Sequence, residues 1–307
     1  MSTKTSKITI LGSGTIGLSF AALHLSKNPN CHITILDTRP DLQDYVSKNL
    51  PGYLIDVDQA SCTERLSFAK DIKDAVHDAD IVQEQGPENL DFKVETWAQI
   101  EKHAPPKALF WSSTSGIPAS EQSRNMSDKS RLVVVHPYNP PHIMPLLEVV
   151  RSPETADEVV ERTLKYWRIL GRTPVVVKKE CTGFVANRLA FALLREASSL
   201  VTQGIVDVED LDNIVSASMG PRWTVAGPFK SYHAGGGEGG LSSFMDKIGG
   251  TVQNCWDASE EDVRKGDIRV GGNWQQDICR QAEEAYGVVD TGERDRKTRQ
   301  VLEAVQK

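Results

Sequence analysis

Cysteine is scarce: Cys31, Cys62, Cys181, Cys255 and Cys279 are odd in number, far apart, and contain no C-x-x-C pair. That pattern offers neither a disulfide framework nor a zinc set, and it fits reduced thiols in a cytoplasm. Long apolar runs are absent as well. Nowhere do about eighteen apolar residues follow one another, and polar residues 1–7 lead straight into a short β-branched run, so neither a membrane span nor a signal peptide is expected. Positive charge is in deficit, with 35 Lys and Arg against 42 Asp and Glu and a net charge of -7. Such a field repels phosphate backbones and anionic bilayers, which argues against nucleic-acid and membrane partners. What remains, 39% hydrophobic and 25% charged residues over 307 positions, is the makeup of a globular protein of one large or two ordinary domains.

The first half alternates short β-branched runs at 7–11, 32–36, 81–84, 109–111 and 132–135 with helix-length amphipathic stretches. Further strands are expected at 146–150 and 174–177, bracketing a helix over 153–170 that Gly171 ends. Beyond that the spacing turns helical throughout, as in 187–203 and in 208–218 after an Asp207 cap. The expected fold is α/β: a Rossmann-type, mainly parallel sheet domain over residues 1–180, followed by a smaller all-helical domain over 181–307.

Gly12-Ser13-Gly14-Thr15-Ile16-Gly17 directly follows the first strand and opens an apolar helical run. Gly12 suits the tight turn, Gly14 a close approach of a pyrophosphate, and Gly17 helix–sheet packing. Thr15 and Ile16 open the helix whose N-terminus would face the phosphates. Asp37, at the end of the second strand, is placed to accept from ribose hydroxyls and to repel a 2′-phosphate, which favours NAD over NADP. Arg39, two residues on, is the feature that opposes this choice, and a plain glycine turn is the alternative for the motif.

His136 ends the fifth of these strands, at the carboxyl edge where open α/β folds place ligands. The proline-rich segment 137–145 leads to the strand carrying Glu148. A carboxylate on one ring nitrogen leaves the other free to exchange a proton with a substrate oxygen. A structural histidine, or a metal set of His136, His142 and Glu148, would use the same residues, though the prolines exclude the helical spacing that marks metal-binding histidine pairs.

With GSGTIG at 12–17, PENLDFK at 87–93, SSTSG at 112–116, HPYNPPHIMPLLE at 136–148 and GFVANR at 183–188, the chain resembles the 3-hydroxyacyl-CoA dehydrogenase family over nearly its whole length. The resemblance implies that His136 is the general base, that Glu148 orients it, and that Ser115 and Asn187 hydrogen-bond the reacting oxygen. It also implies that Glu88 and Lys93 line the nicotinamide side of the cofactor cleft, that Asn139 sits beside the base, and that the helical domain pairs two copies into a homodimer. Hydroxyl and amide donors can stabilise an alkoxide without competing for its proton. Taken singly, a serine in a Ser/Thr loop and an asparagine at a helix start are equally a turn residue and a cap.

Within the family the chain looks most like the branch of lambda-crystallin, L-gulonate 3-dehydrogenase and L-carnitine dehydrogenase. Gly220-Pro221-Arg222-Trp223 and GGGEGG at 235–240 carry that likeness. Arg222 suits a substrate carboxylate, with a surface arginine packed on Trp223 as the alternative. Trp223, Phe229, Tyr232 and Trp256 are either an aromatic cage for a quaternary ammonium or core. The 235–240 run is read as a lid or a surface loop rather than a second phosphate loop. Three functions are therefore expected to compete: an NAD-dependent dehydrogenase of small 3-hydroxy acids, the same chemistry on a CoA thioester, and a catalytically vestigial NAD-binding protein. Ser113 departs from the asparagine that acyl-CoA members often carry.

Overall fold

The computed structural model describes residues 5–305, and the chain divides into two compact units at Arg188/Leu189. In the first, β1 (Ser6–Leu11), β2 (Cys31–Leu36), β3 (Leu66–Phe68), β4 (Ile81–Glu84), β5 (Leu109–Ser112), β6 (Leu132–Pro137), β7 (Leu146–Val150) and β8 (Thr173–Val177) form one sheet. Its order is β3-β2-β1-β4-β5-β6-β7-β8. Neighbours are parallel except β6 and β7, which run antiparallel. The seven expected strands are present with small shifts at their ends. The eighth, β3, escaped the sequence reading because three residues at a sheet edge carry no alternation to detect.

Successive residues of a strand point to opposite faces, and two cores result. Ile8, Ile10, Trp111, Val133 and Val135 face the helix Thr15–Lys27 with its Phe20, Leu23 and Leu25. Val82, Phe110, Leu132 and Val134 face Trp97 and Ile100 of the helix Leu90–His103, together with Phe184. The helix expected over 153–170 spans Asp157–Ile169. It starts late because Ser152 and Thr155 first close a turn, each backbone amide donating to the other's hydroxyl at 3.0 and 3.1 Å.

The first unit runs past the hinge expected near residue 180. Glu148 on β7 takes the backbone amides of Val185 and Ala186 at 2.8 and 3.0 Å, so this stretch stays with the sheet. The second unit is helical, and Asp207 accepts from the Asp210 amide at 2.8 Å to cap Val208–Ala217. The run at 235–240, expected as a lid or a surface loop, is the tight turn between the helices Pro228–Gly235 and Gly240–Lys265. A Cβ on Gly236 would lie 1.7 Å from the Gly240 carbonyl oxygen, so only glycine permits that approach. No helix among the described residues is long and apolar enough to cross a membrane.

Candidate active site

The turn at 12–17 is built around close backbone approaches. Gly12 has φ +96°, and a Cβ there would lie 2.8 Å from the Gln85 carbonyl oxygen; on Gly17 it would lie 1.9 Å from the Gly12 carbonyl oxygen. Gly14, by contrast, faces open space. The helix that begins at Thr15 and Ile16 has no side-chain cap and no acidic residue in its first turn. Its leading amides therefore lack intrahelical partners and carry the positive end of the helix dipole, the arrangement that a pyrophosphate fits.

A cavity of about 790 Å³ opens beside this turn, lined among others by Gly12, Gly14, Asp37, Gly86 and Phe92. Asp37 Oδ2 accepts from the Ser13 amide and hydroxyl at 2.6 and 2.7 Å, and Oδ1 from the Arg39 amide at 3.0 Å. Burial works against the charge, yet these donors hold the carboxyl below its usual range. Arg39, the residue that had argued for a 2′-phosphate, is already engaged: its Nε donates to Asp41 at 2.8 Å and its guanidinium lies 3.3 Å from the centre of the Tyr45 ring. The donor set thus fits an NAD-type ribose.

On β6 and β7, His136 stands directly opposite Glu148, and His136 Nδ1 lies 2.9 Å from Glu148 Oε2. His136 shares the face of Leu132 and Val134, Glu148 that of Val150, and the imidazole packs on Phe184 with ring centres 5.3 Å apart. The other Glu148 oxygen takes the Val185 and Ala186 amides. Burial alone would favour the neutral acid, but His136 and the two amides hold the Glu148 carboxyl below its usual range. No hydrogen bond among the described residues occupies His136 Nε2. His142 is drawn elsewhere, with Nδ1 2.7 Å from Ser19 Oγ and its ring edge-on to Tyr53.

Asn187 follows the amides bound by Glu148, and its side chain donates to the Ser115 carbonyl at 3.4 Å. Ser115 is exposed on a loop that Glu88 organises: Glu88 Oε1 accepts from the Thr114 hydroxyl and from the Ser115 and Gly116 amides. Two hydrogen-bonded pairs, Ser115 with Asn187 and His136 with Glu148, thus meet at the segment 185–187, whose first two amides Glu148 holds. Asn139 is exposed at the start of the proline-rich turn. Lys93, expected on the nicotinamide side of the cofactor cleft, is 1% exposed and donates to both oxygens of Glu84 at 2.9 Å, with Glu88 Oε2 3.9 Å from its Nζ. Glu84 in turn accepts from the Gly86 amide at 2.6 Å and from Ser112, so this buried pair forms the floor beneath Gly86.

In the helical unit, Arg222 is exposed, and no hydrogen bond or ion pair among the described residues engages its guanidinium. Trp223, Phe229, Tyr232 and Trp256 are all exposed rather than core. No ring pair joins them among the described residues, since Tyr232 pairs with Phe244 instead. The sequence reading missed Ser13, Glu84, Gln83, His24 and Phe184. Of these, Ser13 lay inside the glycine motif, Phe184 inside the segment at 183–188, and Gln83 and Glu84 at the end of the strand at 81–84.

Residues 7–181 match the family model "3-hydroxyacyl-CoA dehydrogenase, NAD binding domain", and residues 183–268 match "3-hydroxyacyl-CoA dehydrogenase, C-terminal domain". The L-carnitine dehydrogenase of Streptomyces coelicolor is 34% identical over 307 residues, covering 97% of this chain and 94% of the relative. The 3-hydroxyacyl-CoA dehydrogenase of Gibberella moniliformis is 36% identical over 269 residues, covering 84% and 80%. Among solved structures, an NAD+-dependent dismutase, 5-formyl-3-hydroxy-2-methylpyridine 4-carboxylic acid 5-dehydrogenase, superposes with a TM-score of 0.76 at 29% identity over 98% of both chains. With both domain models matched in order and a dinucleotide cradle in place, the chain belongs to the 3-hydroxyacyl-CoA dehydrogenase family, as an NAD-dependent dehydrogenase acting on CH–OH groups.

Proposed function

We propose that this dehydrogenase oxidises the 3-hydroxyl of a small free hydroxy acid, carnitine- or gulonate-like, to the ketone, with His136 and Glu148 as its acid–base pair. The observation that carries this reading is the 2.9 Å contact between His136 Nδ1 and Glu148, which commits one nitrogen and leaves Nε2 for the substrate. NAD, when bound, supplies the hydride acceptor, held by Gly12, Gly14, Thr15, Ile16 and Gly17 at the pyrophosphate and by Asp37 at the ribose. Glu88, Lys93 and Asn139 shape the nicotinamide side, Lys93 from beneath through Glu84. His136 Nε2 takes the hydroxyl proton, and Glu148 stabilises the imidazolium that forms. Ser115 and Asn187 donate to the oxygen as it gains negative charge.

Arg222 takes the substrate carboxylate, with Trp223 beside it, since the guanidinium is unengaged and two parallel hydrogen bonds would satisfy it. The resemblance to carnitine dehydrogenases favours a free acid, whereas the Gibberella relative supports a CoA thioester as the second reading. The helical unit exposes Leu189, Phe191 and Leu194 on one helix. Exposed apolar side chains of this kind suit an interface, and we assign them to a homodimer in the cytoplasm, tested by light scattering at micromolar concentration. The function is tested by turnover of a panel of free hydroxy acids, carnitine included, beside their CoA esters. Preference for the free acids supports the proposal, preference for the esters replaces it with the second reading, and no turnover of either would leave a catalytically vestigial protein.

A further inference from the structure

A line of polar groups crosses the otherwise apolar core between the sheet and the helix Thr15–Lys27. His24 on that helix is fully buried, with the Tyr166 hydroxyl 2.7 Å from Nδ1 and Gln83 Oε1 3.0 Å from Nε2. Phe20 and Trp167 pack against its ring. Gln83, on β4, then donates from Nε2 to Ser113 Oγ at 3.3 Å. An apolar side chain would fill the place of His24 without the desolvation that three buried polar groups incur, so the line needs a reason beyond packing.

The donors and acceptors along it form one consistent set. Burial pushes the His24 imidazole down to about 4, and desolvation pushes the Tyr166 phenol up, so near neutrality the ring is uncharged and the phenol keeps its proton. A neutral imidazole has one donor and one acceptor nitrogen. The Gln83 carbonyl can only accept, so Nε2 carries the hydrogen and Nδ1 accepts from the phenol. The Gln83 amide is thereby oriented with its NH2 toward Ser113. Ser113 Oγ already accepts one bond, and its own O–H is left to donate.

The sheet order shows where that donor stands. Along the carboxyl edge the dinucleotide site runs from Asp37, just after β2, over the turn that follows β1, toward His136 on β6. The strands between are β4 and β5, and Ser113 is the residue immediately after β5. A ring that exchanges hydride beside His136 lies along this stretch of edge. We propose that His24 and Gln83 are positioning residues for the nicotinamide end of the cofactor, holding the Ser113 hydroxyl as a donor to its carboxamide oxygen. The proposal rests on the dehydrogenase reading above.

The test is direct binding rather than turnover: NADH titrated by its fluorescence, and ADP-ribose, which lacks the nicotinamide, by calorimetry. Ser113→Ala and His24→Leu are each expected to weaken NADH roughly three- to tenfold while leaving ADP-ribose unchanged. The double variant should be no weaker than either single one, because both remove the same contact. His24→Gln, which restores a donor to Gln83, should recover most of the loss. Unchanged NADH affinity in Ser113→Ala, a loss shared equally by ADP-ribose, or additive losses would each overturn the proposal. Ser113→Ala is half-buried at a strand end and decides the matter even if His24→Leu does not fold. Failure of the unaltered protein to bind NADH at all would instead strike the dehydrogenase reading itself.

Discussion

His136 and Glu148 face each other as a directly opposed pair across the antiparallel strands β6 and β7, so the sheet register sets their 2.9 Å contact. Because the pleat sends both side chains to one face, no loop has to close to assemble them. His136→Asn is therefore expected to lower kcat by on the order of a hundredfold or more while NADH still binds, since the turn at 12–17 is separate from the proton path. His136 Nε2 takes the proton in oxidation and returns it in reduction, so the variant should slow both directions. Glu148→Gln should slow both. Steady-state kinetics in each direction check this, and near-normal turnover in His136→Asn would sink the mechanism.

Asp37 is expected to make NAD preferred over NADP by roughly a hundredfold in kcat/KM, about 3 kcal/mol, because a 2′-phosphate would meet a desolvated carboxylate. Asp37→Ser alone should narrow the gap only partly, as Arg39 remains tied to Asp41. Adding Asp41→Ala frees that guanidinium and should improve NADP further. Comparable kcat/KM for the two cofactors in the unaltered protein would refute the assignment.

Much of the site was legible because its signals are local. The glycine motif and Asp37 follow strands, and His136 and Glu148 lie on strands, that periodicity alone locates. The burial of Lys93 was not legible because its partner, Glu84, ends a strand that reads as ordinary sheet, and sequence spacing says nothing of which face a lysine enters. His24 was invisible for a related reason: it falls inside an apolar helical run, and its partners come from residues 83 and 166, far along the chain. Glu88 was assigned to the cofactor cleft, but its bonds to the Ser115 loop depend on tertiary approach. The run at 235–240 was left between a lid and a surface loop because glycine serves close packing as readily as mobility.

The buried Lys93–Glu84 pair yields a prediction that separates a structural role from a contact with the cofactor. Lys93→Met leaves the Glu84 carboxylate buried with only the Gly86 amide and the Ser112 hydroxyl as donors. It should destabilise the fold by about 3 kcal/mol, read as a lower urea midpoint. Weakened NADH binding with an unchanged midpoint would return Lys93 to the open wall of the cleft.

For Arg222→Met the expected result is a KM for a free hydroxy acid raised roughly tenfold or more, with NADH affinity unchanged, because the lost bonds go to the substrate carboxylate. An uncharged analogue of the same acid should show no such increase. If KM does not move, Arg222 is a surface residue.

Acid stability offers a test that depends on one ring. His24 titrates at about 4 in the folded chain against an ordinary value of 6.5, because burial disfavours its charge. On acidification the unfolded chain therefore takes up this proton first, and stability that is complete above the unfolded value is lost as the pH falls toward the folded one. The difference amounts to about 3 kcal/mol between neutrality and about pH 4. Glu148 and Asp37 add losses of the same sign at lower pH, since both carboxyls are held below their usual range. Urea unfolding across this range should show the decline beginning near pH 6.5, above the range of any ordinary carboxylate. His24→Gln, which keeps a hydrogen bond to Gln83 but cannot protonate, should remove the upper part of the decline and leave the carboxylate part. An unchanged pH profile in that variant would show that His24 is not buried as a neutral ring.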